Sequence, residues 1–472
     1  MRARQWANVQ QKKYKQHLEF DGVNTFNPPL QIGENQATDL RNVTSSKYPA
    51  LKVRNGKTQI GSTLTKANGM GQRNNEYVHV VDSTTWKYWN SGTSSYVNVV
   101  TGLTDATASF EEFSTGTTRY TIMSNGTDRR AWDGSSVTNL TNAPTSRIFT
   151  THKGRIYWAR DNDIIYSALN LINDYSGAGS GSLDVTRARG NITSLYEYTD
   201  RVWVWTESSM HGLYGTGPTN FELIDIEGDV GCISDRSVVV ANKRLYFCTY
   251  DGIYEFDGST PMKVSEPYGG NGVTGGVTTY IQGIKKSLRT SIVGGSFGDF
   301  LFMSIPFGDS ATGNNLTLVF DTKLRKWYIR DEGFVDFETV NNVLYGIDSA
   351  NKLWDITTTA ITDGGTSISW YYTTKAFNDG APSSNATVSE IWVACDLPEG
   401  STMKVAYSAT IDSDDFVDLY TFTPSASEQE QRIVMPIATL QNVNWYRLKF
   451  YGTGDATIHF YEKKGRMKYF PR

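Results

Sequence analysis

The stretch Arg244–Gly258, RLYFCTYDGIYEFDG, decides the fold. Large apolar residues alternate along two short runs, separated by Asp251-Gly252 and closed by Asp257-Gly258. An Asp-Gly step between alternating runs signals a β-hairpin, because glycine accepts the positive φ that tight hairpin turns require. The same grammar returns at Tyr77–Gly92, Arg119–Gly134, Arg155–Ser167, Arg201–Gly215 and Val343–Thr357, with a longer variant at Phe300–Ile329. Successive copies begin 36 to 56 residues apart. Short strands and polar turns at a period of about 40–50 residues are the signature of β-propeller blades.

Energetics explain why such a unit must repeat. One hairpin offers about six to eight large apolar side chains, each worth about 1.5–3 kcal/mol when fully buried. Ordering about fifteen residues costs roughly 1–2 kcal/mol each in backbone entropy alone. A lone blade cannot meet that cost, whereas radial stacking covers both faces of every sheet. Seven copies predict about seven blades, with six to eight compatible. A strand at Leu51–Arg54, ahead of the first hairpin, is expected to complete the last blade and latch the ring.

Near Thr362–Thr366 (TDGGT) the grammar changes. Strands are predicted at Ser367–Phe377, Val388–Ala394, Thr402–Ser408, Leu419–Thr423, Arg432–Pro436, Trp445–Tyr451 and Ala456–Tyr461. This pattern, without the blade hairpin, fits an antiparallel β-sandwich. The expected protein is therefore all-β, a propeller followed by a C-terminal sandwich. Its domains are an extended N-terminal arm over 1–45, a propeller over 46–362 and a sandwich over 363–472. Glu34–Asn42 reads as a short helix, and Thr278–Ser287 as helical or an excursion between blades. Gly177–Ser182 and Gly269–Gly276 read as exposed loops.

Composition narrows the function. A net charge of −4 and a pI near 5.8 argue against a general nucleic-acid binder. No apolar run approaches the roughly 20 residues a membrane span needs, and the first twenty residues lack the apolar core of a secretion signal. Synthesis and folding in cytoplasm are expected. Cys232, Cys248 and Cys395 form no C-x-x-C pair and read as small buried hydrophobes. His17, His79, His152, His211 and His459 have no zinc-site spacing, so no metal or other cofactor is expected.

Asp161-Asn162-Asp163 and the cluster Asp412, Asp414 and Asp415 lack the order and distal Glu of a calcium loop. No nucleophile elbow or Walker loop is present. Paired carboxylates from different blades remain open to a glycosidase, but the Ser-x-Asp-x-Gly-x-Thr-Trp boxes of sialidase-type propellers are absent. Trp132-Asp133 and Trp354-Asp355 lack the Gly-His partner of WD repeats and read as blade-end aromatics. No residue is assigned a catalytic role. Basic residues concentrate at the two ends: Arg2, Arg4, Lys12, Lys13 and Lys15, then Lys463, Lys464, Arg466, Lys468 and Arg472. They are the candidate contacts to a neighbouring protein or to phosphate.

Several stretches resemble bacteriophage tail-nozzle proteins of the tail tubular protein B type. RIYWARDNDIIYSALNLINDYS (155–176) is similar to one of their blades, and the run from Ile192 to Gly258 to the two that follow. FDTKLRKWYIRD (320–331) is similar to their later blade with its lysine-tryptophan strand. The opening FDGVNTF…IGENQATDLRNV…LKVRNG and the closing ISWYYTTKAF resemble their two ends.

The resemblance implies a non-enzymatic virion structural protein, made in the host cytoplasm. It would form a homo-oligomeric ring, typically sixfold, docked on the portal, its adaptor and other tail proteins. Genome DNA would leave through the lumen without sequence recognition, or be held there as by a stopper. Mild acidity agrees with a lumen that must release a polyanion. Two alternatives stand beside it. One is a tail-tip or baseplate protein that binds host-surface carbohydrate, with aromatics such as Trp370-Tyr371-Tyr372 stacking on sugars. The other is a propeller glycosidase or lectin.

Overall fold

The computed structural model describes residues 12–185, 190–226, 228–267, 270–378, 384–411, 413–424, 431–437, 440–441 and 443–469. Seven four-stranded antiparallel sheets follow one another along the chain. Blade 1 runs from Ala67–Arg73 to Ser95–Val100, blade 2 from Ser109–Ser114 to Val137–Asn139, and blade 3 from Phe149–His152 to Gly181–Asp184. Blade 4 runs from Ile192–Tyr198 to Glu222–Ile226, blade 5 from Val239–Ala241 to Met262–Lys263, and blade 6 from Val293–Phe297 to Lys326–Arg330. Blade 7 holds Phe334–Val340, Val343–Asp348 and Leu353–Asp355, and takes its outer strand, Thr58–Ile60, from near the N-terminus. The first strand of blade 7 packs on that of blade 1, so the wheel closes.

Each hairpin read from the sequence is the second and third strand of a blade, and in blade 6 the fourth as well. The second strands are the most apolar and the deepest. Tyr157, Trp158, Trp203, Trp205 and Tyr246 are fully buried. Aromatic contacts cross between blades, as in Trp203 on Phe256 (4.6 Å, edge-on) and Tyr246 on Phe320 (6.2 Å).

The turn at Asp251-Gly252 differs from expectation. Asp251-Gly252 is no two-residue turn. Strands Arg244–Cys248 and Ile253–Phe256 are joined by the four residues Thr249–Gly252, closed by Thr249 N–H donating to Gly252 O (2.8 Å). Gly252 is absent from the positive-φ residues. It is small because a Cβ there would lie 2.4 Å from Ser265 Oγ and 2.6 Å from Lys263 Cε. Gly252→Val is expected to cost about 1–3 kcal/mol through overpacking, read as a lowered thermal midpoint. An unchanged midpoint would contradict this packing.

The latch is also displaced from its expected place. Leu51–Arg54 was the expected closing strand, but Thr58–Ile60 closes blade 7, with Leu353 opposite Ile60 and Asp355 opposite Thr58. Leu51 and Val53 carry apolar side chains that are 2% exposed, so they go to a core. An outermost blade strand needs only backbone pairing, which the polar TQI run supplies.

Leu51–Val53 belongs instead to the sandwich. One sheet has the order Val43–Thr44, Leu51–Val53, Thr457–Tyr469, Ser384–Asp396, Gln431–Pro436, with Lys12–His17 also paired to Thr457–Tyr469. The other has the order Ala37–Arg41, Ser369–Thr374, Arg447–Thr453, Thr402–Ser408, Val417–Phe422. All seven strands read from the C-terminal sequence are present. The expected arm over 1–45 is, from residue 12 on, not a free arm, because three of its strands lie in these sheets.

Glu34–Asn42 contains a strand, Ala37–Arg41, rather than a helix. A bulge between Ala37 and Asp39 puts the buried Ala37 and Leu40 three residues apart, which imitates helical spacing. The second helical expectation fares better: Thr278–Gln282 is a short α-helix followed by a 3-10 turn, Lys286–Ser291.

Wheel and sandwich share one apolar core. Phe20, Tyr372, Phe450 and Tyr461 join the cluster that contains Tyr246, Phe320 and Trp327. The outer strand of blade 6 accepts hydrogen bonds from the N-terminal segment: Val23 N–H to Trp327 O (2.9 Å) and Asn42 N–H to Ile329 O (2.8 Å).

Candidate functional site

Among the basic candidates, Arg2, Arg4 and Arg472 lie outside the described residues. The fold brings most of the others together. Strands Lys12–His17 and Thr457–Tyr469 run antiparallel, with Lys12 opposite Arg466, Tyr14 opposite Lys464 and Lys15 opposite Lys463. Lys468 lies further along, opposite Asn385. Among the described residues, the basic stretches near the two ends of the sequence thus share one strand pair.

Their side chains do not act alike. Lys463 is buried with its ammonium 3.2 Å from the Phe377 ring centroid, and so is structural. Lys464 bridges Glu390 (2.9 Å) and Lys15 bridges Glu34 (2.7 Å). His17 stacks on Tyr461 at 4.4 Å, and burial beside Lys463 holds its imidazole down to about 4.

The second candidate place is the axis of the wheel, which sequence reading did not find. One cavity of about 300 Å³ reaches from Arg147, Asp235, Arg236 and Asp336 to Glu111, Tyr196 and Glu338. A neighbouring cavity of about 440 Å³ shares Glu111, Tyr196 and Glu338 and adds Gln72, Glu112, Thr150 and Glu197. Glu111, Glu197 and Glu338 come from the first strands of blades 2, 4 and 7. The first group ties blades across the axis: Arg147 grips Asp235 twice (2.5 and 2.8 Å), and Arg236 reaches Val335 O (3.1 Å). Glu112 is satisfied by Gln72 Nε2 and Asn74 N–H, both at 2.7 Å.

Glu111 and Glu338 are different. Enclosure by the walls, then neighbouring carboxylates, pushes both up to about 8. Both side chains are only partly buried, so solvent screens the effect on stability. A carboxyl raised in the folded state gives stability that is complete below its unfolded value of 4.5 and lost as pH rises through about 8. Glu338→Gln is therefore expected to stabilise the protein by about 1–2 kcal/mol at pH 8.5 and to change nothing at pH 4.5. Thermal melts at both values check the sign, and a variant destabilised at pH 8.5 would contradict it.

A Ser-His-Asp array also lies outside anything the spacing suggested. His211 Nε2 is 3.0 Å from Ser209 Oγ, and its Nδ1 is 2.5 Å from Asp225 Oδ1. The geometry is that of a nucleophile and its base, but the surroundings are those of a brace. Ser209 Oγ is shared with Thr206 Oγ1 at 2.7 Å. The N–H groups of Ser208 and Ser209, which could have served an oxyanion, donate to Thr206 Oγ1 at 3.4 and 3.1 Å. The array links the second, third and fourth strands of blade 4.

The remaining candidates settle into the scaffold. The three cysteines are free and buried, and burial pushes their thiols up, away from nucleophilic thiolates. His79 accepts a hydrogen bond from Trp86 Nε1 (2.8 Å). Trp370 and Tyr372, expected as sugar platforms, are each 2% exposed, and the Tyr371 hydroxyl is held by Asp39 (2.7 Å). Trp370 and Tyr372 fill the sandwich core because alternate residues of their strand face it. Asp412 lies outside the described residues. Among the described residues no group of three or more His, Cys, Asp or Glu is placed to hold a metal ion, and no helix is long and apolar enough to cross a membrane.

No protein-family model matches the chain, and no curated protein matches it. Among solved structures it is similar to one titled as a streptogramin B lyase, at 8% identity and a TM-score of 0.44, covering 63% of this chain and 95% of that one. It is also similar to a chain of a mitotic checkpoint complex, at 11% identity and a TM-score of 0.40, covering 65% and 96%.

Proposed function

We propose that the chain is a non-enzymatic virion structural protein that forms a homo-oligomeric ring in a phage tail or connector. The ring docks on portal, adaptor or other tail proteins and surrounds or closes the path by which DNA leaves. The reading rests on the resemblance of the blade sequences to tail-nozzle proteins. The observation that carries it furthest is the fusion of a closed wheel to a sandwich through one continuous core. That is the form of a building block, and basic residues near both ends, Lys12 to Lys15 and Lys463 to Arg466, lie on one strand pair of it.

The axis of the wheel is not the DNA path in this reading. A duplex whose major groove alone is about 12 Å wide does not fit cavities of about 300 and 440 Å³. The lumen lies between copies.

Native mass spectrometry of the full chain, with a glycan array alongside, tests the reading. A closed oligomer of one fixed stoichiometry without glycan binding is expected. A monomer that binds or hydrolyses a glycan would overturn it in favour of a carbohydrate-directed protein.

A further inference from the structure

Two charged sheet edges of the sandwich are open among the described residues, besides the edge Gln431–Pro436 that pairs only with Ser384–Asp396. Among the described residues, Lys12–His17 pairs only with Thr457–Tyr469, and Val417–Phe422 only with Thr402–Ser408. Each is six residues long and presents one unpaired row of backbone N–H and C=O groups. Natural proteins protect such edges or use them. Neither carries proline, and both expose apolar side chains: Tyr14 is 59% exposed and the following Leu18 53%, Val417 56% and Tyr420 40%.

The two edges lie on opposite sides of the sandwich. Thr457–Tyr469 pairs with Ser384–Asp396 on one flank, so Lys12–His17 shares its other flank with Leu51–Val53. Leu51–Val53 leads through Val43–Thr44 to Ala37–Arg41, the first strand of the other sheet, and Val417–Phe422 is the last strand of that sheet.

Their charges are opposite too. Lys12–His17 contains Lys12, Lys13 and Lys15 and no acid, while Ser413–Phe422 contains Asp414, Asp415 and Asp418 and no base. Asp414 is 96% exposed. Asp414 lies 3.9 Å from Arg447, and Lys15 and Asp418 have exposed partners within their own chain, Glu34 at 2.7 Å and Lys404 at 3.4 Å. Such exposed pairs are worth little and exchange readily.

We propose that copies of this chain join head to tail by strand addition, Lys12–His17 of one copy pairing with Val417–Phe422 of the next. The proposal rests on the ring reading above and names its contact. Like edges repel, since two basic or two acidic strands side by side are unfavourable, whereas unlike edges attract. A contact between two different surfaces on opposite sides of the protomer propagates, and closes into a ring when the rotation permits. Main-chain hydrogen bonds supply the affinity of strand addition, and the flanking side chains supply the choice of partner.

The test uses the full chain as Tyr14→Cys, as Tyr420→Cys, and as both together, with a bis-maleimide spanning about 8 Å, the diagonal spacing between paired strands. The three native cysteines are buried, and the unsubstituted chain serves as control. Mixing the single variants is expected to give covalent dimers, and the double variant a ladder ending at the stoichiometry of the native oligomer. Either single variant linking to itself would overturn the proposal in favour of a two-fold contact. A native oligomer without links between these positions would overturn it while leaving the ring intact. A chain that stays monomeric would overturn both. A link from Tyr420→Cys to a different virion protein would show another occupant of the edge and overturn it as well.

Discussion

Glu332→Ala is expected to lower unfolding stability by about 3–5 kcal/mol, the usual penalty for stranding buried charge. Glu332 sits among three cations: Lys57 Nζ at 2.5 Å, Arg330 Nη1 at 3.2 Å and Arg54 Nη2 at 3.8 Å. Arg54 also grips Asp363 through both terminal nitrogens (2.9 and 2.7 Å). Arg54 and Lys57 bracket the chain just before the closing strand Thr58–Ile60, so the cluster fixes the latch to blade 7. Beside it, Gly56 leaves no room for a side chain, since a Cβ would lie 1.9 Å from Thr362 O.

The cations hold the Glu332 carboxyl down to about 2 despite its burial. A carboxylate lowered in the folded state gives stability that is present above its unfolded value of 4.5 and lost as pH falls through about 2. The substitution should therefore cost most at neutral pH and least in strong acid. Urea unfolding at pH 7 checks this, and a loss under about 1 kcal/mol would contradict the role of the cluster in closing the wheel.

Trp327→Ala should cost about 3–5 kcal/mol and loosen the wheel from the sandwich. Trp327 is fully buried, donates Nε1–H to Val264 O (2.8 Å), and packs on Phe320 at 4.6 Å. Its carbonyl accepts from Val23, so the residue touches blade 5, blade 6 and the N-terminal segment together. A single unfolding transition in the parent is expected to split into two by calorimetry. One unchanged transition would contradict a shared core.

How much of this was legible depends on where the apolar residues lie. The second and third strands of the blades carry the alternating aromatic runs and were all read. The first strands were missed, because those lining the axis are short, polar or glycine-rich, as in VGGSF at Val293–Phe297. A Cβ on Gly295 would meet Phe337 Cβ at 2.7 Å, so glycine here reports close approach of neighbouring blades, not a turn.

The tight turns were missed as well. Lys153-Gly154, Thr199-Asp200, Asn242-Lys243 and Asn341-Asn342 all have positive φ at both positions and join the first and second strands of blades 3, 4, 5 and 7. Each stands directly before the strand that was recognised, so a signal was present, but only one of the four contains glycine. The acidic axis needed the ring to be closed before Glu111, Glu197 and Glu338 could meet, because they come from blades 2, 4 and 7. No spacing in the sequence joins them. The same holds for the pairing of the two basic ends, separated by more than four hundred residues.

Symmetry-resolved electron cryomicroscopy of the assembled particle tests whether copies of this chain encircle the exiting DNA. A closed ring of copies on the axis of DNA exit is expected, with the lumen between subunits and each wheel's own axis empty of duplex. A peripheral trimer away from that axis, or DNA threaded through a single wheel, would contradict it.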